Sequence, residues 1–317
     1  MIRLATLLIM APAAAGAFSL EFPLDCQLDD TCFIQQFPDR DPGPGVTDFT
    51  CGPLSYDGHS GTDFAVATLR AMQNGVTILA AAPGTIKGVR DGMPDIASNA
   101  PDAVEITGRE CGNGLVIDHG GGWETQYCHM AKGSVRVRAG EAVSSGTPLG
   151  LIGLSGNTEF PHLHLSVRKD GAEIDPFDPD GTAACGPGPD APLWATPVPY
   201  TPGGLVGAGF AAQIPKWAAI KAGLQDPPLT KTAPALVLWV HYFGSRVGDQ
   251  LRLIITGPQG TVIDEIVTID RTQAQGFRAV GKRLRAPNWA SGTYFGEIVL
   301  TRDGAEISRR TTQTLIP

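Results

Sequence analysis

Two short stretches set histidine and aspartate at spacings suited to a divalent cation. They are Gly58-His59-Ser60-Gly61-Thr62-Asp63 and Pro161-His162-Leu163-His164-Leu165-Ser166-Val167. Side chains of an extended backbone alternate between faces, so His59, Gly61 and Asp63 would share one face, with glycine leaving space for an ion. By the same alternation His162 and His164 point one way while Leu163 and Leu165 point to an apolar side, aiming two nitrogen donors at one place. His-x-x-x-Asp alone is a weak signal because surface loops carry it by chance. The histidine pair over an apolar opposite face is stronger. A third stretch, Thr125-Gln126-Tyr127-Cys128-His129, follows a Gly120-Gly121-Gly122 turn that makes Leu115 to His119 its hairpin partner. Alternation there places Thr125, Tyr127 and His129 on one face, which would bring His129 to a metal from a neighbouring strand and point Cys128 away. His119, at the turn end of its strand, reads as a structural, hydrogen-bonding histidine. Imidazoles and a carboxylate around an ion with one open position are the ligands of hydrolytic zinc, which turns water into a nucleophile near neutral pH.

The elements that must position these residues read as strands. Short apolar runs between glycine turns (Val76 to Ala81, Thr85 to Val89, Leu115 to His119, Thr125 to His129, Pro148 to Gly153, His162 to Val167) predict antiparallel sheet over residues 51–180. Asp91 to Ala103 breaks the pattern and reads as an inserted loop forming a groove wall. Residues 18–50, with Asp41-Pro42-Gly43-Pro44-Gly45 and two cysteines, read as an irregular, disulfide-pinned lead-in. Residues 181–202 are a Pro/Gly-rich linker. Residues 203–317 carry runs at Ala235 to Phe243, Gln250 to Thr256, Thr261 to Ile269, Gly276 to Leu284 and Tyr294 to Thr301, as in a small Ig-like β-sandwich. Its histidine, His241, lies in an apolar run beside Trp239 and Tyr242 and reads as a packed or surface residue without chemistry. With 40 glycines and 26 prolines in 317 residues, the expected class is mainly β.

Composition narrows the setting. Met1-Ile2-Arg3, an apolar run from Leu4 to Ala15 and Ala15-Gly16-Ala17 have the form of a secretory leader over residues 1–17. No later run is long enough to span a membrane. An exported protein, periplasmic or extracellular, is expected. Its six cysteines, Cys26, Cys32, Cys51, Cys111, Cys128 and Cys185, favour disulfides, and Cys26 and Cys32 are close enough to close a loop by themselves. A formal charge of −8 argues against a nucleic-acid partner.

Together the three histidine stretches, with Ala82-Pro83-Gly84-Thr85-Ile86, Gly114 to Gly120 and Gly140 to Gly156, resemble the lysostaphin/LytM-type zinc endopeptidases over about Asp57 to Val167. The resemblance implies a LytM-type zinc peptidase domain acting on peptidoglycan peptides. It makes His59, Asp63 and His164 the Zn2+ ligands, and His129 and His162 catalytic histidines that do not bind the metal. Tyr56 and Tyr127 are candidate transition-state donors, with simple packing the alternative for each. Phe160, where relatives often have glycine, and Ser166, where they often have an acidic residue, depart from the pattern without touching a ligand. The segment between Asp63 and Gly75 is longer than usual. The alternative function is a non-catalytic wall-binding protein or an activator of a cell-wall amidase, with a wall enzyme as candidate partner of the C-terminal unit.

Overall fold

The computed structural model describes residues 17–181, 192–224 and 227–317. The leader, read from residues 1–16 and Ala17, therefore falls almost wholly outside the described residues, as does Cys185. The chain is mainly β. Its first half comprises β1 (Phe33–Gln36), β2 (Thr62–Ala65), helix α1 (Leu69–Gln73), β3 (Thr77–Leu79), β4 (Gly84–Arg90), β5 (Asn113–Gly120), β6 (Trp123–Met130), β7 (Ala142–Val143), β8 (Pro148–Leu151), β9 (His162–Lys169) and β10 (Ala172–Ile174). The second half comprises β11 (Gly204–Ala211), helix α2 (Trp217–Ala222), β12 (Ala235–Ser245), β13 (Gln250–Gly257), β14 (Gly260–Thr268), β15 (Gln273–Arg283), β16 (Gly292–Arg302) and β17 (Ala305–Ile316).

The first half is an antiparallel sheet in the order β1-β2-β9-β6-β5-β4-β7, with β10 added to β9 and a separate β3-β8 pair. Strand alternation divides this sheet into two chemically different faces. On one face Phe64, Tyr127, Leu163, Leu165 and Val167 are at most 1% exposed, in a core shared with Ile78, Leu149 and Ile152. Burying one aliphatic side chain of this size contributes roughly 1.5–3 kcal/mol. A one-residue slip of β9 would turn its leucines away from that core, so the register that aims His162 and His164 at the other face is strongly held.

The lead-in is more regular than expected. Its β1 is an edge strand of the main sheet, pairing Ile34 with Phe64 and Gln36 with Asp63. The Cys26–Cys32 disulfide closes as anticipated. Residues Leu20, Glu21 and Asp25 bond to the backbone of Leu193, Ala81 and Thr77, which places this stretch on the core side and away from the histidines.

In the second half a three-stranded sheet, β11-β12-β15, faces a four-stranded one, β14-β13-β16-β17. Leu236, Leu238, Val240, Leu251, Leu253, Ile298 and Leu300 fill the space between them, as in a sandwich. Phe33, Ala65 and Phe243 form a small buried cluster joining the halves. The long segment after Asp63 supplies a second tie, because it folds into α1, capped by the Thr68 side chain, and Arg70 Nε donates to Gly223 O at 3.0 Å.

Candidate metal centre and cleft

The histidine-bearing face is assembled from neighbouring strands. Antiparallel register sets Asp63 opposite His164 and Ala65 opposite His162, and residues directly opposed project to the same side. His59 joins them from outside the sheet, and this differs from the extended stretch expected. A turn closed by His59 N donating to Tyr56 O, with Gly58 at φ +72, delivers the ring just before β2 begins.

His129 reaches the same place by a route that alternation does not describe. Register places Tyr127 opposite Leu165 in the core and Cys128 opposite His164 on the site face. Strict alternation would then bury His129 in the core. Instead the β5–β6 register shifts near Gly114, His129 N donates to Cys111 O, and His129 takes φ +61. The bulge re-aims its side chain. Tyr127 is accordingly no transition-state donor, since its hydroxyl accepts from Ala81 N at 2.8 Å in the core. Cys128 faces the site but is tied to Cys111 in a disulfide, which removes it as a thiolate ligand. Cys51 is also disulfide-bonded.

His59 Nε2, Asp63 Oδ1 and His164 Nδ1 lie 3.1, 3.2 and 2.9 Å from one another. A tetrahedral ion with metal–donor bonds near 2.05 Å separates its ligands by about 3.3 Å, so the spacing fits a small divalent cation. Tautomers agree with that fit. His59 Nδ1 donates to Phe37 O at 2.7 Å and His164 Nε2 to Ser166 Oγ at 3.1 Å, leaving a lone pair on each inward nitrogen. Ser166 thus orients a ligand directly, contrary to the expectation that it touches none. Gly61 is required by the same geometry, because a Cβ there would sit 2.6 Å from His164 Nε2 and 2.7 Å from Leu165 O.

His162 and His129 complete the cluster. His162 Nε2 is 3.3 Å from Asp63 Oδ1, and its Nδ1 donates to Phe160 O at 2.9 Å while the Phe160 ring stacks on it. Phe160 therefore holds a site histidine in place. His129 Nδ1 donates to Ser155 O at 2.7 Å, which leaves Nε2 the acceptor atom of its neutral ring. His129, His162 and His164 form a second grouping with donors close enough for an ion, but it contains no carboxylate. Tyr56 stacks on His59 and lines the cleft, where desolvation and then the Asp63 charge raise its pKa and keep the hydroxyl a donor. His119 spends both nitrogens, on Pro83 O and Thr125 Oγ, the structural role expected.

The side chains of the site place opposed electrostatic demands on one another. Burial raises the Asp63 pKa, but the imidazoles of His162 and His59 outweigh it and hold the carboxyl well below its usual range. Burial lowers His59, yet Asp63 and the Phe37 carbonyl bring it above the usual imidazole value. Burial, and then the neighbouring imidazoles, hold His129 well below it; burial also lowers His164 despite Asp63. A base depressed by folding takes up its proton more readily when unfolded, so stability falls as pH drops below the unfolded value near 6.5. His59 has the opposite sign and offsets part of this. We expect the melting temperature of chelator-treated protein to fall steadily from pH 7 to pH 5, with zinc-loaded protein less affected until protons displace the metal. An apo melting temperature that rises over this interval would contradict the assignment.

Comparison with known proteins bears on the first half of the chain. Residues 57–176 match the sequence model of Peptidase family M23, and this part of the chain is an M23 peptidase domain. Over 116 residues the chain is 32% identical to peptidoglycan DD-endopeptidase ShyA of Vibrio cholerae, covering 37% of this chain and 21% of that protein. Over 137 residues it is 29% identical to DD-carboxypeptidase/endopeptidase Mpg of Neisseria meningitidis, covering 43% of this chain and 27% of that protein. The chain thus matches 21% and 27% of the length of these two relatives. Among solved structures, the catalytic domain of the prophage-encoded M23 protein EnpA from Enterococcus faecalis aligns with TM-score 0.34 and 23% identity, over 50% of this chain and 95% of that one.

Proposed function

We propose that this chain is an exported zinc metalloendopeptidase that hydrolyses peptide bonds in peptidoglycan, in the periplasm or outside the cell. The carrying observation is the convergence of His59, Asp63 and His164 to mutual distances of 2.9–3.2 Å with their lone pairs facing inward. Names of the relatives, which include peptidoglycan endopeptidases, support the substrate. In this reading His59, Asp63 and His164 hold Zn2+, which when bound supplies Lewis acidity toward a carbonyl and toward water. His129 and His162 line the cleft beside that set, placed to take a proton from attacking water and return it to the leaving amine. Tyr56 is placed to donate a hydrogen bond to the developing oxyanion. Among the described residues no helix is long and apolar enough to cross a membrane.

The test is digestion of purified peptidoglycan and defined muropeptides, with fragments identified by mass spectrometry. Expected are new free amine and carboxyl ends at a peptide bond, lost on chelation and restored by about one equivalent of zinc. Intact muropeptides from zinc-loaded protein would favour the alternative, a wall-binding protein or amidase activator.

A further inference from the structure

The cleft in front of the histidines has two walls from different halves of the chain. It encloses about 570 Å³ and is lined by Asp63, His129 and His162 on one side and by Trp217, Lys221 and Gln275 on the other. This volume lies in the roughly 300–1,000 Å³ range of ligand sites. The far wall is α2 and the start of β15, both belonging to the sandwich half.

That wall is anchored to the half that carries the histidines. Gln275 Nε2 donates to Gln35 Oε1 on β1, Phe243 packs against Phe33 at 4.5 Å between ring centroids, and Arg70 holds the carbonyl just after α2. Trp217 is fixed between Phe277, parallel at 5.6 Å, and the edge contact of His241 at 5.0 Å. Lys221 Nζ sits over the Trp217 ring at 5.7 Å, one helical turn along. Lys221 is the one lysine or arginine among the described residues lining the cleft. The acidic residues lining the same cleft are Asp63 and Glu159.

We infer that Trp217 and Lys221 form a substrate-binding wall, in which Lys221 pairs with a carboxylate on the bound peptide and the exposed part of the half-buried indole packs against the adjoining chain. This rests on the peptidase reading of the same cleft and assigns the sandwich half a direct part in selecting substrate. An ammonium held over an indole keeps its charge in a defined place, and a charge-assisted hydrogen bond to carboxylate is stronger than one to a neutral amide. Peptides bearing free carboxylates are therefore preferred to the same peptides amidated.

Isothermal titration of the zinc-loaded full chain tests this with two probes. One is a synthetic stem peptide with free side-chain carboxylates and an uncleavable isostere at the scissile bond; the other is the same peptide amidated. Wild type should bind the carboxylate form about tenfold more tightly. Lys221→Ala should abolish that preference, Lys221→Arg should keep most of it, and Trp217→Ala should weaken both peptides. Circular dichroism and zinc content establish that each variant is folded. Equal affinities in wild type, absence of binding by either probe, or a preference surviving in folded Lys221→Ala would overturn the inference. Hydrolysis is scored separately: preference without cleavage removes only the peptidase reading, and cleavage without preference removes only this one.

Discussion

Replacing His164 with alanine should lower bound zinc from about one equivalent to less than about a tenth and abolish turnover, whereas replacing His162 should leave zinc in place and lower kcat by about 10²–10⁴. The contrast follows from where each nitrogen points. His164 Nδ1 lies 3.2 Å from His59 Nε2 and 2.9 Å from Asp63 Oδ1, and without it two donors remain, too few for a catalytic zinc site. His162 Nε2 is 3.3 Å from the same carboxylate oxygen, near the centre, but the His59, Asp63 and His164 set is complete without it. Metal analysis by mass spectrometry and steady-state kinetics on a stem peptide separate the two effects, with the His162 loss falling on kcat more than on KM. Full activity in His162→Ala would exclude its part in proton transfer. Zinc retained by His164→Ala would exclude the ligand assignment.

A second large effect is expected from a residue with no chemistry of its own. Gly61→Ala inserts a methyl group 2.6 Å from His164 Nε2 and 2.7 Å from Leu165 O. The carbonyl belongs to a central strand and yields little, so the ring must rotate and lose Ser166 Oγ, its outer partner. Misorienting a ligand in this way weakens metal binding by about 10–100-fold, and overpacking should destabilise the fold by about 1–3 kcal/mol. Competition against a fluorescent chelator and thermal melting measure the two separately. Wild-type zinc affinity in Gly61→Ala would show that the His164 ring has more freedom than the packing around it indicates.

Legibility in the sequence tracked how far local rules govern each element. The orientation of His162 and His164 was readable because β9 buries one face completely, and period-two alternation then leaves no choice. His59 was placed on a strand, whereas a turn with Gly58 at positive φ carries it. His129 was assigned to the site for the wrong geometric reason. Alternation grouped it with Tyr127, while the fold separates them by a bulge whose only sequence trace is Gly114, a position where Cβ would meet Tyr127 O at 2.2 Å. Strand β1 was hidden because it is four residues long and half glutamine. Glycines hid β11 and alternating polar residues hid β17. The far wall of the cleft was not legible at all. Trp217 and Lys221 lie on a short helix more than fifty residues beyond His164 in sequence, and contacts between the two halves bring them to the same cleft as the histidines.

The left-handed backbone at His129 has a consequence for how this protein would respond to selection. A non-glycine residue held at φ +61 costs about 1–2 kcal/mol relative to relaxed backbone, a cost that the proposed role of the imidazole would account for. Selection for heat resistance alone would favour glycine or asparagine at that position. On the proposed peptidase reading, such a lineage would keep its three ligand side chains and its shape while losing turnover.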